Sequence, residues 1–305
     1  MESHEHQEAI GPRAVGLPSN LRERALLYRC SLHSWGAVRK DNQATAAAQA
    51  VVGARRGTGN YQKFLISPDA LKPIKQIDGQ IRTFIGEHSL PWDDGKVLVP
   101  SIRWEWFSQE LRGLFAQRRA AVSQFEIEYP SYVERAQREL GSLFQAGQYP
   151  PADRIVREFK VTEAPEPIPE RADLRLDLPQ AAIEEMRGQL QADLEARFRA
   201  AHTEAGQRLM SVVDRLAVRL QTVAGSEPVI FRDSLVENVR ELCDSLPSLN
   251  LAGDAQLDQF IAEVKEKLTR YSPGQLREIP GIRQEVAENA GDILRRMRGY
   301  CGEAE

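Results

Sequence analysis

Residues 90–107 read LPWDDGKVLVPSIRWEWF, and how this run is taken decides the fold. Trp92, Trp104 and Trp106, three of the four tryptophans, fall inside it. Each ring buries a large area, so dense core is expected here in preference to a stacking platform for bases. The first half, Leu90-Pro91-Trp92-Asp93-Asp94-Gly95, reads as a turn. From Trp104 the spacing becomes helical: Trp104, Phe107, Leu111, Leu114, Ala121 and Phe125 recur at threes, fours and their sums. Arg118 occupies a seam position that should be apolar, a device that sets register or partner number between helices. It is expected either beneath a carboxylate or exposed where another subunit docks. Tyr129-Pro130 should close this helix. A second, over residues 132–144 with Val133, Ala136, Leu140 and Leu143 on its apolar face, should then return antiparallel.

Downstream lies a longer element. Ile183, Met186, Leu190, Leu194, Phe198, Ala201, Ala205, Leu209, Val212, Leu216, Leu220 and Val223 keep helical spacing without a proline, up to Gly225. That is a helix of roughly 45 residues, about 65 Å long. Its stripe needs a long partner, and the 102–146 helices are the expected one. Period-two alternation marks strands near 26–34, 154–162 and 172–178, the last two joined by a proline-rich connection. Asp41 should cap an alanine-rich helix running to Val52, and Ser67-Pro68 should open another, followed by a helical stripe from Ile74 to Phe84. Beyond Gly225, Asp233, Asp254 and Ser272-Pro273 open further helices, and Ile282, Val286, Ile293, Leu294 and Met297 line the last. The expected fold is mainly α: a long antiparallel helical hairpin, coiled-coil-like, with a small antiparallel β element and a C-terminal helical bundle. The expected division is a flexible arm over 1–20, the hairpin with its inserted sheet over 21–225, and the bundle over 226–305.

The 305 residues are 42% hydrophobic and 28% charged, which suits a soluble globular chain. A net charge of −4 argues against wholesale coating of nucleic acid but leaves room for a local basic patch. No apolar run reaches the roughly 20 residues of a membrane span, and the polar start is unlike a signal peptide, so no membrane and a cytoplasmic location are expected. Cys30, Cys243 and Cys301 are too scattered for a disulfide framework or a zinc site and read as reduced thiols.

No catalytic constellation is evident. Asp93-Asp94 beside Trp92 has the composition of a metal or acid–base pair, yet aspartates before a glycine are more simply a turn. The glycine-rich loop from Ala54 to Lys63 lacks the Gly-Lys-Ser/Thr ending of a phosphate-binding P-loop, which argues against nucleotide hydrolysis. Its cations, Arg55, Arg56 and Lys63, together with Arg39 and Lys40, are the candidate contacts for nucleic acid or an acidic partner, with Lys72 and Lys75 in the same region; a solvated loop is the competing reading. His4 and His6 sit in the terminal arm, and His33, His88 and His202 are isolated, so no metal site is expected. Arg295, Arg296 and Arg298 fall in a last helical turn, where the helix dipole favours cations.

Leu90-Pro91-Trp92 with the following glycine and Leu98-Val99-Pro100, then Tyr149-Pro150, Phe159 and Asp173-Leu174-Arg175-Leu176, together resemble a family of uncharacterised proteins of tailed phages and integrative conjugative elements. Trp35-Gly36 with Arg39-Lys40, and Leu276, Ile282-Arg283 and Val286, extend the resemblance from about Ala25 to Met297. Genes of that family often lie beside those of a MoxR-like AAA+ ATPase and a von Willebrand A-type protein. The resemblance implies a phage or mobile-element protein in the cytoplasm of a bacterial host. It carries no catalytic residues. The expected function is therefore non-enzymatic: self-assembly as a homo-oligomer, or an adaptor to a protein partner such as an AAA+ ATPase or a host defence component. The alternative is nucleic-acid binding through the basic loop. No cofactor and no small-molecule substrate are expected.

Overall fold

Apolar residues at threes and fours make most of this chain helical. A computed structural model describes residues 16–93, 95–170, 173, 175, 177–222 and 234–302. In order, the elements are α1 (Leu21–Arg24), β1 (Ala25–Leu32), β2 (Val38–Lys40), α2 (Asn42–Val51), β3 (Gln62–Phe64), α3 (Lys72–Glu87), β4 (Leu90–Asp93), β5 (Lys96–Pro100), α4 (Trp104–Leu140), α5 (Ala152–Val156), β6 (Val161–Glu166), α6 (Gln180–Thr222), α7 (Ser234–Leu249), α8 (Ala255–Leu268), α9 (Pro273–Glu278) and α10 (Pro280–Cys301). The fold is mainly α, with one four-stranded sheet in the order β4-β5-β1-β6 and a two-stranded ribbon of β2 and β3. No helix among the described residues is long and apolar enough to cross a membrane.

Two compact units result, one of residues 1–28, 86–104 and 165–305, the other of residues 29–85 and 105–164. In the first, α6 runs 43 residues, about 65 Å at helical rise. Leu194, Phe198, Ala201, Ala205, Leu209, Val213 and Leu216 form its buried stripe. That stripe is covered by α7, α8, α10 and β4, which corrects the expected pairing with the 102–146 helices. The cause is the width of the C-terminal faces: Val236, Val239 and Leu246 on α7, Leu257, Phe260 and Val264 on α8, and Val286, Ile293 and Met297 on α10 are all buried. Helices with such faces need α6 to close their core, so residues 226–305 are not a separate bundle. Of the expected helix ends here, Gly225 and Asp233 lie outside the described residues. Asp254 caps α8 by accepting from the Gln256 and Leu257 N–H groups. Ser272 and Gln275 form a reciprocal capping box on α9, with Pro273 at its start.

The expected corner at Pro91–Gly95 is a hairpin. Leu90 pairs with Leu98 and Pro91 with Val97, and a bulge brings Asp93 opposite Lys96. Gly95 takes φ +74°, a conformation open to glycine without cost, and β-branched Val97 and Val99 favour the strand. Trp104 meets Tyr28 edge-on at 5.8 Å.

In the second unit α4 runs 37 residues straight through Pro130, where a break was expected. Proline removes one helical hydrogen bond, but the buried stripe Phe107, Leu111, Phe115, Arg118, Val122, Phe125, Tyr129 and Ala136 stays in phase on both sides of it. Burial along that face outweighs the missing bond. The stripe passes through Phe115 and Val122 in place of Leu114 and Ala121. Phe125 lies within ring-contact distance of Trp35, Tyr129, Tyr132 and Phe159, at 5.5–6.4 Å. Trp106 rests on Phe84 at 5.4 Å.

Of the three expected strands, one stands and two need correction. The strand near 26–34 is β1. That at 154–162 is the end of a short helix and a turn before any strand: Pro151 precedes α5, Ile155 is fully buried, and β6 begins only at Val161 and runs on through Pro165, on an edge of the sheet where proline is tolerated. Of residues 172–178, four positions are described (173, 175, 177 and 178), and none is in a strand.

Candidate binding surface

Residues 37–66 form a small module within the second unit. Ala37 turns the chain out of β1 with φ +51°, and its carbonyl accepts from the Leu65 N–H at 2.7 Å. The ribbon then pairs Val38 with Phe64, Arg39 with Lys63 and Lys40 with Gln62. Side chains alternate across a strand, so Val38, Lys40, Gln62 and Phe64 share one face. Asp41 caps α2 by accepting from the Ala44 N–H at 2.9 Å, as its position before an alanine run suggests. The returning loop is tied to α2 twice: Gln49 donates to the Gly59 carbonyl at 3.1 Å, and Thr45 Oγ1 accepts from the Tyr61 N–H at 3.0 Å. Gly57, at φ +89°, supplies the turn between Arg55 and Thr58.

Four of the five cations expected at this site are at the surface. Arg39, Lys40, Arg55 and Arg56 are exposed and, among the described residues, make no ion pair. Lys63 is not available to a ligand: it is 2% exposed, and its Nζ binds Asp41 Oδ2 at 2.8 Å and the Leu143 carbonyl. The reason is local. Asp41 is the only acid in residues 37–66, and once it is placed as a helix cap its second oxygen draws in the nearest ammonium. The cap N–H of Ala44, then Lys63, hold the Asp41 carboxyl below the usual range. Asp41 and Lys63 thus cancel, leaving four exposed cations and no exposed acid in thirty residues of a chain whose net charge is −4. Lys72 and Lys75 lie exposed on α3.

The surface also carries apolar groups. Phe64 is 57% exposed, Tyr61 43%, Val38 42%, Val51 86% and Val52 74%. Helix α2 has no buried residue at all. The signal for these side chains was present in the sequence as Val-x-Lys and Gln-x-Phe alternation flanking an acid-free run from residue 42 to 61, but the strands are only three residues long.

Arg118, expected on a seam, is 2% exposed and meets its carboxylate inside the chain. Its Nε donates to Asp78 Oδ1 at 2.6 Å, Nη1 to the Phe159 carbonyl at 3.2 Å, and Nη2 to the His33 carbonyl at 2.7 Å and Ser34 Oγ at 3.1 Å. Ser34 in turn donates to the second Asp78 oxygen at 3.0 Å. Such burial corrects the reading of Arg118 as a subunit contact: the guanidinium fork ties the segment just past β1, α3, α4 and the Phe159 turn together.

Elsewhere, Asp93 pairs with Arg197, and Asp94 lies outside the described residues, as do His4 and His6. Arg295 pairs with Asp292 at 3.1 Å and Arg296 with Glu263 at 2.7 Å, so these two are committed within the first unit. A three-way cluster joins α6, α8 and α10 there. Tyr300 Oη donates to Asp254 Oδ2 at 2.9 Å, and His202 Nε2 lies 3.1 Å from the same oxygen and 2.9 Å from Tyr300 Oη. Burial pushes the Asp254 carboxyl up, but hydrogen bonds from Tyr300, the Gln256 N–H, His202 and the Leu257 N–H outweigh it and hold it below its ordinary value. Burial, then Asp254, drive the Tyr300 phenol far above its ordinary value. With Asp254 engaged as a helix cap, this cluster is a clip between helices.

Comparison with protein-family models, with curated proteins and with solved structures gives no match.

Proposed function

We propose that the protein acts by binding and not by catalysis, and that its partner is a nucleic acid held on the 37–66 module. The observation that carries this reading is the segregation of charge: Arg39, Lys40, Arg55 and Arg56 are exposed with no exposed acid among them, in a chain that is acidic overall. A polyanion meets four cations and no exposed acid on this module, which favours a defined docking site over general coating. Fluorescence polarisation with labelled oligonucleotides at two salt concentrations tests it. Four phosphate contacts give a slope of log K against log salt of roughly −3. Absence of binding at low salt overturns the proposal.

A second reading, assembly or an adaptor contact with a protein partner such as an AAA+ ATPase, is favoured by the start of α6. There Met186 is 37% exposed and Ile183 and Leu190 are only half-buried on one stripe. Light scattering over a concentration series separates the two readings: a strict monomer at all concentrations argues against self-assembly.

A further inference from the structure

Resting on the nucleic-acid reading, we infer that the module takes single strands, with bases stacked on Phe64 and Tyr61 and phosphates held by cations at both ends of α2. The two rings differ from the exposed valines in offering a π-face, and their backbone is held in place. Phe64 sits in the ribbon directly opposite Val38, on the face that also carries Lys40. Tyr61 is pinned on both sides of its peptide unit: its N–H donates to Thr45 Oγ1 at 3.0 Å, and its carbonyl accepts from the Asp41 N–H at 3.0 Å. Backbone held in this way fixes where each ring leaves the chain, so both flat faces are presented on the module. In a duplex the base faces are occupied by their neighbours, and rings beside phosphates gain nothing. Unpaired bases present both faces.

The cations are arranged for a polymer. Arg39 and Lys40 precede the Asp41 cap, and Arg55 and Arg56 follow the far end of α2. The helix between the pairs has ten residues, a length of about 15 Å. Between them α2 bears no charge from Asn42 to Val51, so a flexible chain can cross it without meeting repulsion. An anionic bilayer would also meet cations and apolar side chains here. It favours one continuous apolar face, though, whereas Val51 and Val52 lie at the opposite end of α2 from Phe64 and Val38.

The test uses the full chain with a labelled oligothymidine, a duplex of equal length and vesicles rich in phosphatidylserine. The expected result is at least about tenfold tighter binding of the single strand than of the duplex, with each of Phe64→Ala and Tyr61→Ala weakening it about fivefold or more at unchanged salt slope. Arg55→Gln with Arg56→Gln should reduce the slope instead, by about 0.7 for each phosphate lost. Phe64→Trp keeps a ring, so it should retain affinity and add a fluorescence component that the oligomer quenches. Single strand and duplex bound equally, with both alanine variants silent, overturns the inference and leaves the nucleic-acid proposal standing. Binding of vesicles in preference to oligonucleotides overturns both, as does no binding to either.

Discussion

Replacing Arg118 by methionine should be among the most damaging single changes in the second unit. The side chain satisfies Asp78, Ser34 and the carbonyls of His33 and Phe159, and both Arg118 and Asp78 are at most 3% exposed. Arg118→Met leaves a buried carboxylate answered only by Ser34, a loss of about 3–5 kcal/mol. Asp78→Leu leaves a buried guanidinium of similar cost, eased by its two carbonyls. The double variant holds no buried charge. Its remaining penalty is two carbonyls without their donor, about 1–3 kcal/mol each. At the middle of these ranges the double variant should therefore be more stable than the sum of the singles implies by about 4 kcal/mol. Arg118→Lys keeps the charge but loses the fork, and should fall between wild type and the methionine variant. Urea unfolding of all four variants, followed by far-UV circular dichroism and by fluorescence, supplies the cycle. Singles costing less than about 1 kcal/mol, or a double that is additive within about 0.5 kcal/mol, would refute the view that this guanidinium locks the unit.

Asp254 should make the first unit acid-sensitive. Its folded carboxyl lies below its unfolded value of about 3.9, so its contribution is complete above that value and is lost as pH falls through the folded one. Melting curves between about pH 2 and 5 should show a dependence that Asp254→Asn flattens, and parallel curves would remove the assignment. Cys243 is 2% exposed, and its thiol is pushed up to about 12 by burial, with Asp244 adding to the effect. Mass spectrometry after alkylation near neutral pH should find it unmodified in the native protein and modified in denaturant; labelling in the native protein at the rate of a free thiol contradicts this. Gly206→Val should lower the melting temperature by several degrees. A Cβ there meets Tyr300 Cε1 at 3.0 Å and Cys301 Sγ at 3.3 Å, and Asp254 holds the tyrosine by its hydroxyl. A variant melting at or above the wild-type temperature shows that the ring has room to move.

What could be read from the sequence was local. Asp41, Ser67, Asp254 and Ser272 cap where their positions before helical runs imply, because a cap is settled within three residues. The length of α6 followed from an uninterrupted stripe. Which surface covers that stripe did not, since several amphipathic helices compete for it and only three-dimensional closure chooses. Pro130 misled for a related reason: intrinsic propensity ends a helix there, and burial of Phe125, Tyr129 and Ala136 on a common face continues it. At the candidate surface, four cations were read as exposed and are. Lys63 was lost because its sequence neighbours give no sign that Asp41, twenty-two residues earlier, has an oxygen to spare.

Helix α2 has a consequence for exchange with solvent. A ten-residue helix with no buried side chain is held by its cap, by Thr45 and Gln49, and by little else. Opening it exposes almost no apolar surface, so its amides should exchange hydrogen through a local fluctuation far cheaper than unfolding of the unit. The rings of Phe64 and Tyr61 are moored to the ribbon and to the first turn of α2, whereas Arg55 and Arg56 hang beyond its last. Ligand contact at both ends would convert that fraying helix into a strut. The slowing of α2 exchange on saturation would then report, residue by residue, how much of the binding free energy goes into ordering the protein itself.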